Sequence, residues 1–234
     1  MIPIRKFLNS SLGRKYIMGA SGLALVGFMV THLYGNIFLY YPQSTGFNEY
    51  TDGLHAWGTL LTVAELGLGA LFLTHIAMAV LLQRDKVRAA GDYVHEIQSK
   101  GGPSHLTVLS RNMFLTGVVL FGFLIIHIIQ FRFGPGIEAG YVTSLAANPE
   151  ARDLYRLVDE TFQNPVWVAF YMTVMLFLGF HVRHGLWSGL QSLGAMKPEW
   201  SKMIYALGAA VAFVFVVGFM CIPLWLYFDV WERI

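Results

Sequence analysis

Five of the chain's eight histidines, His32, His75, His127, His181 and His184, sit inside long apolar stretches. An ionisable side chain in such a stretch is costly, so its presence points to function. Imidazole offers two chemistries there. It relays protons, or it ligates a metal through a ring nitrogen. His55, His95 and His105 fall in polar connections, where a surface histidine needs no special account. The chain has one cysteine, Cys221. That excludes a disulfide framework, a cysteine-ligated zinc site and a cysteine-ligated iron–sulfur cluster.

The stretches that carry the histidines define the class of chain. Of 234 residues, 56% are hydrophobic and 13% charged, and the mean hydropathy is +0.54. An ordinary soluble domain carries about 25% charged residues. Five spans are predicted, at about 15–40, 59–82, 107–131, 165–190 and 202–228. Each is long enough to cross a hydrocarbon core of about 30 Å at about 1.5 Å per residue. Each must be helical, because a backbone in lipid has to satisfy its own hydrogen bonds. The expectation is an all-α integral membrane bundle of five transmembrane helices, one domain over 1–234. No length is left for a second soluble catalytic domain. The 15% aromatic content excludes disorder, and a net charge of +2 gives no footprint for nucleic acid.

Lys and Arg set the expected orientation. One side collects Arg5, Lys6, Arg14, Lys15, Arg84, Lys86, Arg88, Lys100, Lys197 and Lys202, and the other has Arg132, Arg152, Arg156 and Arg233. The positive-inside rule then places the N-terminus in the cytoplasm and the C-terminus outside. The first apolar run is too long for a signal h-region and reads as a retained helix. Segment 85–106 reads as a polar cytoplasmic loop with a Gly101-Gly102-Pro103 turn. The longest connection, 133–164, lies outside. Within it, 148–161 reads as a short amphipathic surface helix, with Leu154, Leu157 and Val158 on one face.

Depth then sorts the histidines. His32 and His127 lie late in spans running outward, and His75 and His181 lie late in spans running inward. Four consecutive helices each give one histidine, at two levels roughly 13 Å apart along the membrane normal. Two histidines at one level on different helices can hold one haem iron from both faces. Filling both axial positions favours electron transfer over oxygen binding. The reading is two stacked bis-histidine haems. Zinc is disfavoured because few carboxylates lie at these depths. On the fourth helix, His181 and His184 are three residues apart on nearly one face, and spacing alone does not choose between them. His181 is deeper and is preferred as ligand, which leaves His184 for a propionate or a partner protein.

At these residues the chain resembles the cytochrome b membrane-anchor subunit of succinate dehydrogenases and fumarate reductases, in its five-helix, di-haem, single-anchor form. The matching pieces are Ser11-Leu12-Gly13-Arg14-Lys15, Ser21-Gly22-Leu23 and Thr31-His32-Leu33, then Thr74-His75, His127 and Thr161-Phe162-Gln163-Asn164-Pro165-Val166. His181 and His184-Gly185-Leu186-Trp187-Ser188 complete the pattern. The resemblance implies that His75 and His181 hold a proximal haem b and His32 and His127 a distal one, and it too favours His181. It places Ser21, Arg14 and Lys15 near a propionate. It implies a multi-pass subunit of the bacterial cytoplasmic membrane that anchors a flavoprotein subunit and an iron–sulfur subunit on the cytoplasmic face. Electrons would pass from succinate through FAD, the partner's iron–sulfur clusters and the two haems to quinone, or in reverse. Menaquinone is the quinone it suggests.

The chain carries no flavin motif, iron–sulfur cysteines or nucleotide loop, so it does not oxidise succinate by itself. A quinone site needs a proton donor or acceptor beside an apolar slot. Outer-side candidates are Tyr40, Glu49, Tyr50, His55, Gln130 and Arg132, with Glu49 and His55 preferred. Some fumarate-reducing members carry a glutamate two residues before the fourth-helix ligand. Here Gly179 and Phe180 precede His181, and the deep carboxylate is Glu65 on the second span. Two other readings remain, a stand-alone di-haem membrane reductase and a haem-free transporter whose histidines relay protons.

Overall fold

The computed structural model describes residues 6–7, 10–41, 45–90 and 112–228. Seven helices carry almost all of it: α1 (Ser11–Ile37), α2 (Thr45–His55), α3 (Thr59–Ala90), α4 (Met113–His127), α5 (Leu154–Phe162), α6 (Pro165–Ser192) and α7 (Ser201–Tyr227). Five helical stretches are long and apolar enough to cross a membrane: Ser11–Tyr40, Thr59–Ala89, Met113–Arg132, Pro165–Ser192 and Pro198–Tyr227. The all-α bundle expected from the hydropathy pattern is the architecture observed. His95, His105, Lys100, Gly101-Gly102-Pro103, Arg5, Arg111, Arg233 and span residues 107–110 lie outside the described residues.

Local chemistry explains the helix ends. Asn164 and Pro165 start α6. The proline needs no N–H partner in the first turn, and the Asn164 side-chain oxygen accepts from the Val166 N–H at 2.9 Å. Gly194, with φ of 78°, ends it. The Ala195 N–H returns to the Leu190 carbonyl and the Gly194 N–H to that of Gln191, a left-handed cap that suits glycine. Gly58, with φ of 55°, makes the turn between α2 and α3. A π-helical turn, Ile128–Arg132, follows His127.

Three expectations change. Residues 85–90 continue α3 rather than opening a loop. Residues 45–55, within the connection between the first two spans, form α2, so His55 is a helix C-terminal residue rather than a loop residue. The amphipathic helix is shorter than 148–161. It begins at Leu154, because the Asp153 carboxylate caps it by accepting from the Arg156 N–H at 3.0 Å. Ahead of it, Ala151–Arg152 pairs antiparallel with Val142–Thr143 in a short ribbon.

The chain divides into two compact units. The first comprises 1–28, 67–118 and 179–213, and the second 29–66, 119–178 and 214–234. In the first, α1 and α6 touch through glycines. A Cβ on Gly19 would lie 3.0 Å from the Gly189 carbonyl oxygen, the close backbone approach small residues permit in membrane helices. The second has an aromatic-rich core of Leu39, Phe47, Val158, Phe162, Val168, Tyr171, Ile222 and Leu226. Its polar centre is Asn48, wholly buried. The Asn48 amide donates to Asp153 at 2.8 Å, and its oxygen accepts from the Tyr155 N–H at 2.9 Å. This joins α2 to the start of α5. On α3, Leu60, Leu66 and Leu73 are each more than 60% exposed, as side chains facing lipid are.

Candidate functional site

The four histidines divide two and two between the units. In the first unit, His75 of α3 and His181 of α6 face each other with ring centroids 6.3 Å apart and planes inclined by 68°. In the second, His32 of α1 and His127 of α4 stand 5.8 Å apart, with planes at 90°. Among the described residues no group of three or more His, Cys, Asp or Glu is placed to hold a metal ion. What the two units present instead is one pair of imidazoles each. A metal–nitrogen bond of about 2 Å, plus about 1.1 Å from nitrogen to ring centre, sets two opposed imidazoles about 6.2 Å apart across one ion. The first pair, at 6.3 Å, is close to that figure, and the second, at 5.8 Å, is about 0.4 Å short of it.

Each ring is held from behind. Ser21 of α1 is buried, and its hydroxyl lies 3.1 Å from His75 Nδ1 and 3.1 Å from the Met18 carbonyl. Thr116 of α4, also buried, lies 3.0 Å from His181 Nδ1 and 2.9 Å from the Met113 carbonyl. A glycine follows each hydroxyl. A Cβ on Gly22 would lie 3.1 Å from His75 Cε1, and one on Gly117 would lie 3.5 Å from His181 Cε1. In the second unit, the Tyr171 hydroxyl donates to Gln130 Oε1 at 2.6 Å and lies 3.4 Å from His127 Nδ1. Gln130 belongs to the π-helical turn after His127. Such turns re-aim side chains and recur at functional sites. His32 packs its ring against Phe219 at 5.7 Å.

His184 faces elsewhere. Its ring is 5.7 Å from that of Trp187, which stacks on Tyr205 at 5.0 Å. The Trp187 indole N–H is buried without an acceptor among the described residues. A buried donor in that state calls for a partner the described chain does not supply. Arg14 forms an ion pair with Asp85 at 2.7 Å, and Lys15 is exposed. The Ser21 hydroxyl, expected near a propionate, lies 3.1 Å from His75 Nδ1.

The quinone candidates separate as well. Within the second unit, a cavity of about 490 Å³ is lined by Thr51, Asp52, His55, Arg132, Asn148 and Arg152, among others. His55 is exposed, and its Nδ1 lies 2.8 Å from the Thr51 carbonyl. Glu49 is exposed on α2 and is not among the residues lining the cavity. Tyr50 stacks on Phe38 at 5.2 Å. Tyr40 reaches the Gly218 carbonyl at 3.4 Å. Arg132 grips Glu65 through two hydrogen bonds of 2.9 and 3.0 Å. Glu65 therefore has a cation at the end of the third span as its partner.

Arg152 shapes the mouth of the cavity. Its guanidinium donates to the carbonyls of Phe131, Gly134 and Pro135. Partial burial, with Arg132 nearby, lowers its pKa from the usual arginine range. On the same surface, hydrogen bonds from Tyr141 and Arg156 lower the Glu160 pKa, and the bond to Glu160 raises that of Tyr141.

Fold and site together define an all-α chain with five helices able to cross a membrane and a histidine pair in each unit. No family model, curated protein or solved structure matches it.

The sequence could not have supplied the partners of these rings. Ser21 and His75 are 54 residues apart, and Thr116 and His181 are 65 apart. A hydroxyl followed by glycine, at the depth of an intramembrane histidine, was the available signal.

Proposed function

We propose that this chain is the membrane-anchor and electron-transfer subunit of a succinate:quinone oxidoreductase, a succinate dehydrogenase or fumarate reductase. The observation that carries the reading is the pair of opposed imidazoles in each unit, His75 with His181 and His32 with His127, each drawn from two helices. The resemblance of the surrounding segments supports it.

In this reading each pair holds one haem b, and the two haems supply one-electron transfer between a soluble iron–sulfur partner and membrane quinone. The chain's own residues do the rest. His75 and His181 would hold one group and His32 and His127 the other, each through a ring nitrogen. Ser21, Thr116 and Tyr171 fix ring orientation from the opposite nitrogen. The buried Trp187 N–H is a donor suited to a carboxylate, and a haem propionate is such a group. His55 and Arg152, at the cavity of the second unit, line a place for a quinone headgroup, with His55 as proton donor or acceptor. The Lys and Arg distribution supports a cytoplasmic N-terminus and a cytoplasmic docking face for the flavoprotein and iron–sulfur subunits. The resemblance implies the bacterial cytoplasmic membrane as the location and menaquinone as the quinone.

The test is purification of the tagged chain from its native membrane in mild detergent. Stoichiometric flavin and iron–sulfur subunits, with b-type absorbance that succinate reduces, are the expected result. A coloured chain that purifies alone and ignores succinate favours the stand-alone reductase. A colourless folded chain overturns the cytochrome reading.

A further inference from the structure

The rings of His75 and His181 sit in two seats of the same design. A hydroxyl residue meets Nδ1 and the glycine after it meets Cε1: Ser21-Gly22 on α1 for His75, and Thr116-Gly117 on α4 for His181. Each hydroxyl has one hydrogen, and a carbonyl three residues back stands ready to accept it, Met18 at 3.1 Å and Met113 at 2.9 Å. When that hydrogen goes to the carbonyl, the oxygen is left to accept from the ring. In that arrangement the proton of each imidazole sits on Nδ1, and Nε2 keeps its lone pair. The glycines leave room for the Cε1 edge of each ring beside its helix.

We propose that Ser21 and Thr116 are positioning residues that fix the ligating tautomer of His75 and His181 and set the reduction equilibrium of the group held between them. The inference rests on the haem reading of the site. An Nδ1–H that donates to an oxygen makes its imidazole a more basic ligand, and a more basic ligand favours the oxidised metal. Tyr171 gives His127 a related arrangement, since its hydroxyl hydrogen goes to Gln130 Oε1, but its contact at 3.4 Å is the longest of the three. The seats make the His75–His181 pair chemically distinct from the His32–His127 pair.

The experiment is potentiometric titration and low-temperature electron paramagnetic resonance of the purified complex carrying Ser21→Ala, Thr116→Val or Thr116→Ser. Ser21→Ala and Thr116→Val should both keep two haems per chain. Each should shift the same single haem about fivefold toward its reduced form, the scale of one net hydrogen bond acting on one oxidation state. The low-spin signal of that haem should move, and that of the other should stay. Thr116→Ser should restore wild-type behaviour. If Ser21→Ala fails to assemble, the Thr116 pair carries the test, because Thr116 stands on a different helix. Unchanged titrations in both variants, or shifts on different haems, overturn the inference while leaving the haem reading intact. A wild-type protein without haem overturns the reading itself.

Discussion

Gly22→Ala and Gly117→Ala are the same substitution beside two histidines of the same proposed pair, and the geometry separates them. In both cases alanine gains about 1 kcal/mol of helix propensity over glycine. At Gly117 the new methyl would meet His181 Cε1 at 3.5 Å, an ordinary contact. At Gly22 it would meet His75 Cε1 at 3.1 Å, where carbon atoms settle at about 3.5–4.0 Å. The His75 ring must then retreat by a few tenths of an ångström. It cannot do so freely, because Ser21 Oγ holds Nδ1 at 3.1 Å and His181 stands across from it. A retreat of that size stretches the hydrogen bond toward the limit of its range. Overpacking of this kind costs about 1–3 kcal/mol, which offsets or exceeds the propensity gain. The assay is haem content and thermal loss of Soret absorbance in the two variants, with circular dichroism to follow the fold. Gly117→Ala should match or slightly exceed wild type. Gly22→Ala should lose one haem at lower temperature and retain the other. Equal behaviour of the two variants refutes the close-seat argument.

Three further outcomes follow from the geometry. His181→Ala should remove one haem and His184→Ala neither, because the His181 ring faces His75 and the His184 ring faces Trp187; haem counts on the two variants decide it. Asn48→Leu should destabilise the second unit by about 1–3 kcal/mol, since it removes two hydrogen bonds of a wholly buried amide, to the Asp153 carboxylate and from the Tyr155 N–H; a denaturation midpoint equal to wild type contradicts that. Glu160 has its pKa lowered by Tyr141 and Arg156. Its stabilising contribution is therefore complete above the ordinary value of 4.5 and is lost as pH falls through its lower folded value. Glu160→Gln should flatten the acid limb of the melting profile, and an unchanged limb counts against the contact.

What the sequence makes legible is what depends on local pattern. The five spans follow from apolar length, and the start of α6 from Asn164-Pro165. The four intramembrane histidines stand out because such groups are costly in lipid. What it hides is of two kinds. Short polar helices are one: α2 carries Gly46, Gly53 and Asn48 and reads as loop, yet Asn48 is buried by contacts to Asp153 and Tyr155, more than a hundred residues away. Pairings across helices are the other. Nothing in the sequence pairs Ser21 with His75, and the fold brings them to 3.1 Å. Glu65 reads as a deep carboxylate until Arg132 is found on it. The π-helical turn at Ile128–Arg132 also lacks a periodic signal, since it is held by Arg152 donating to carbonyls at and just beyond its end.

The most direct measurement is the number of haem b groups per chain in the purified, folded protein, by pyridine haemochrome absorbance against protein concentration. Two per chain is the predicted result, one for each opposed histidine pair. A folded preparation with none contradicts the account and makes a proton-relaying histidine transporter the reading to pursue.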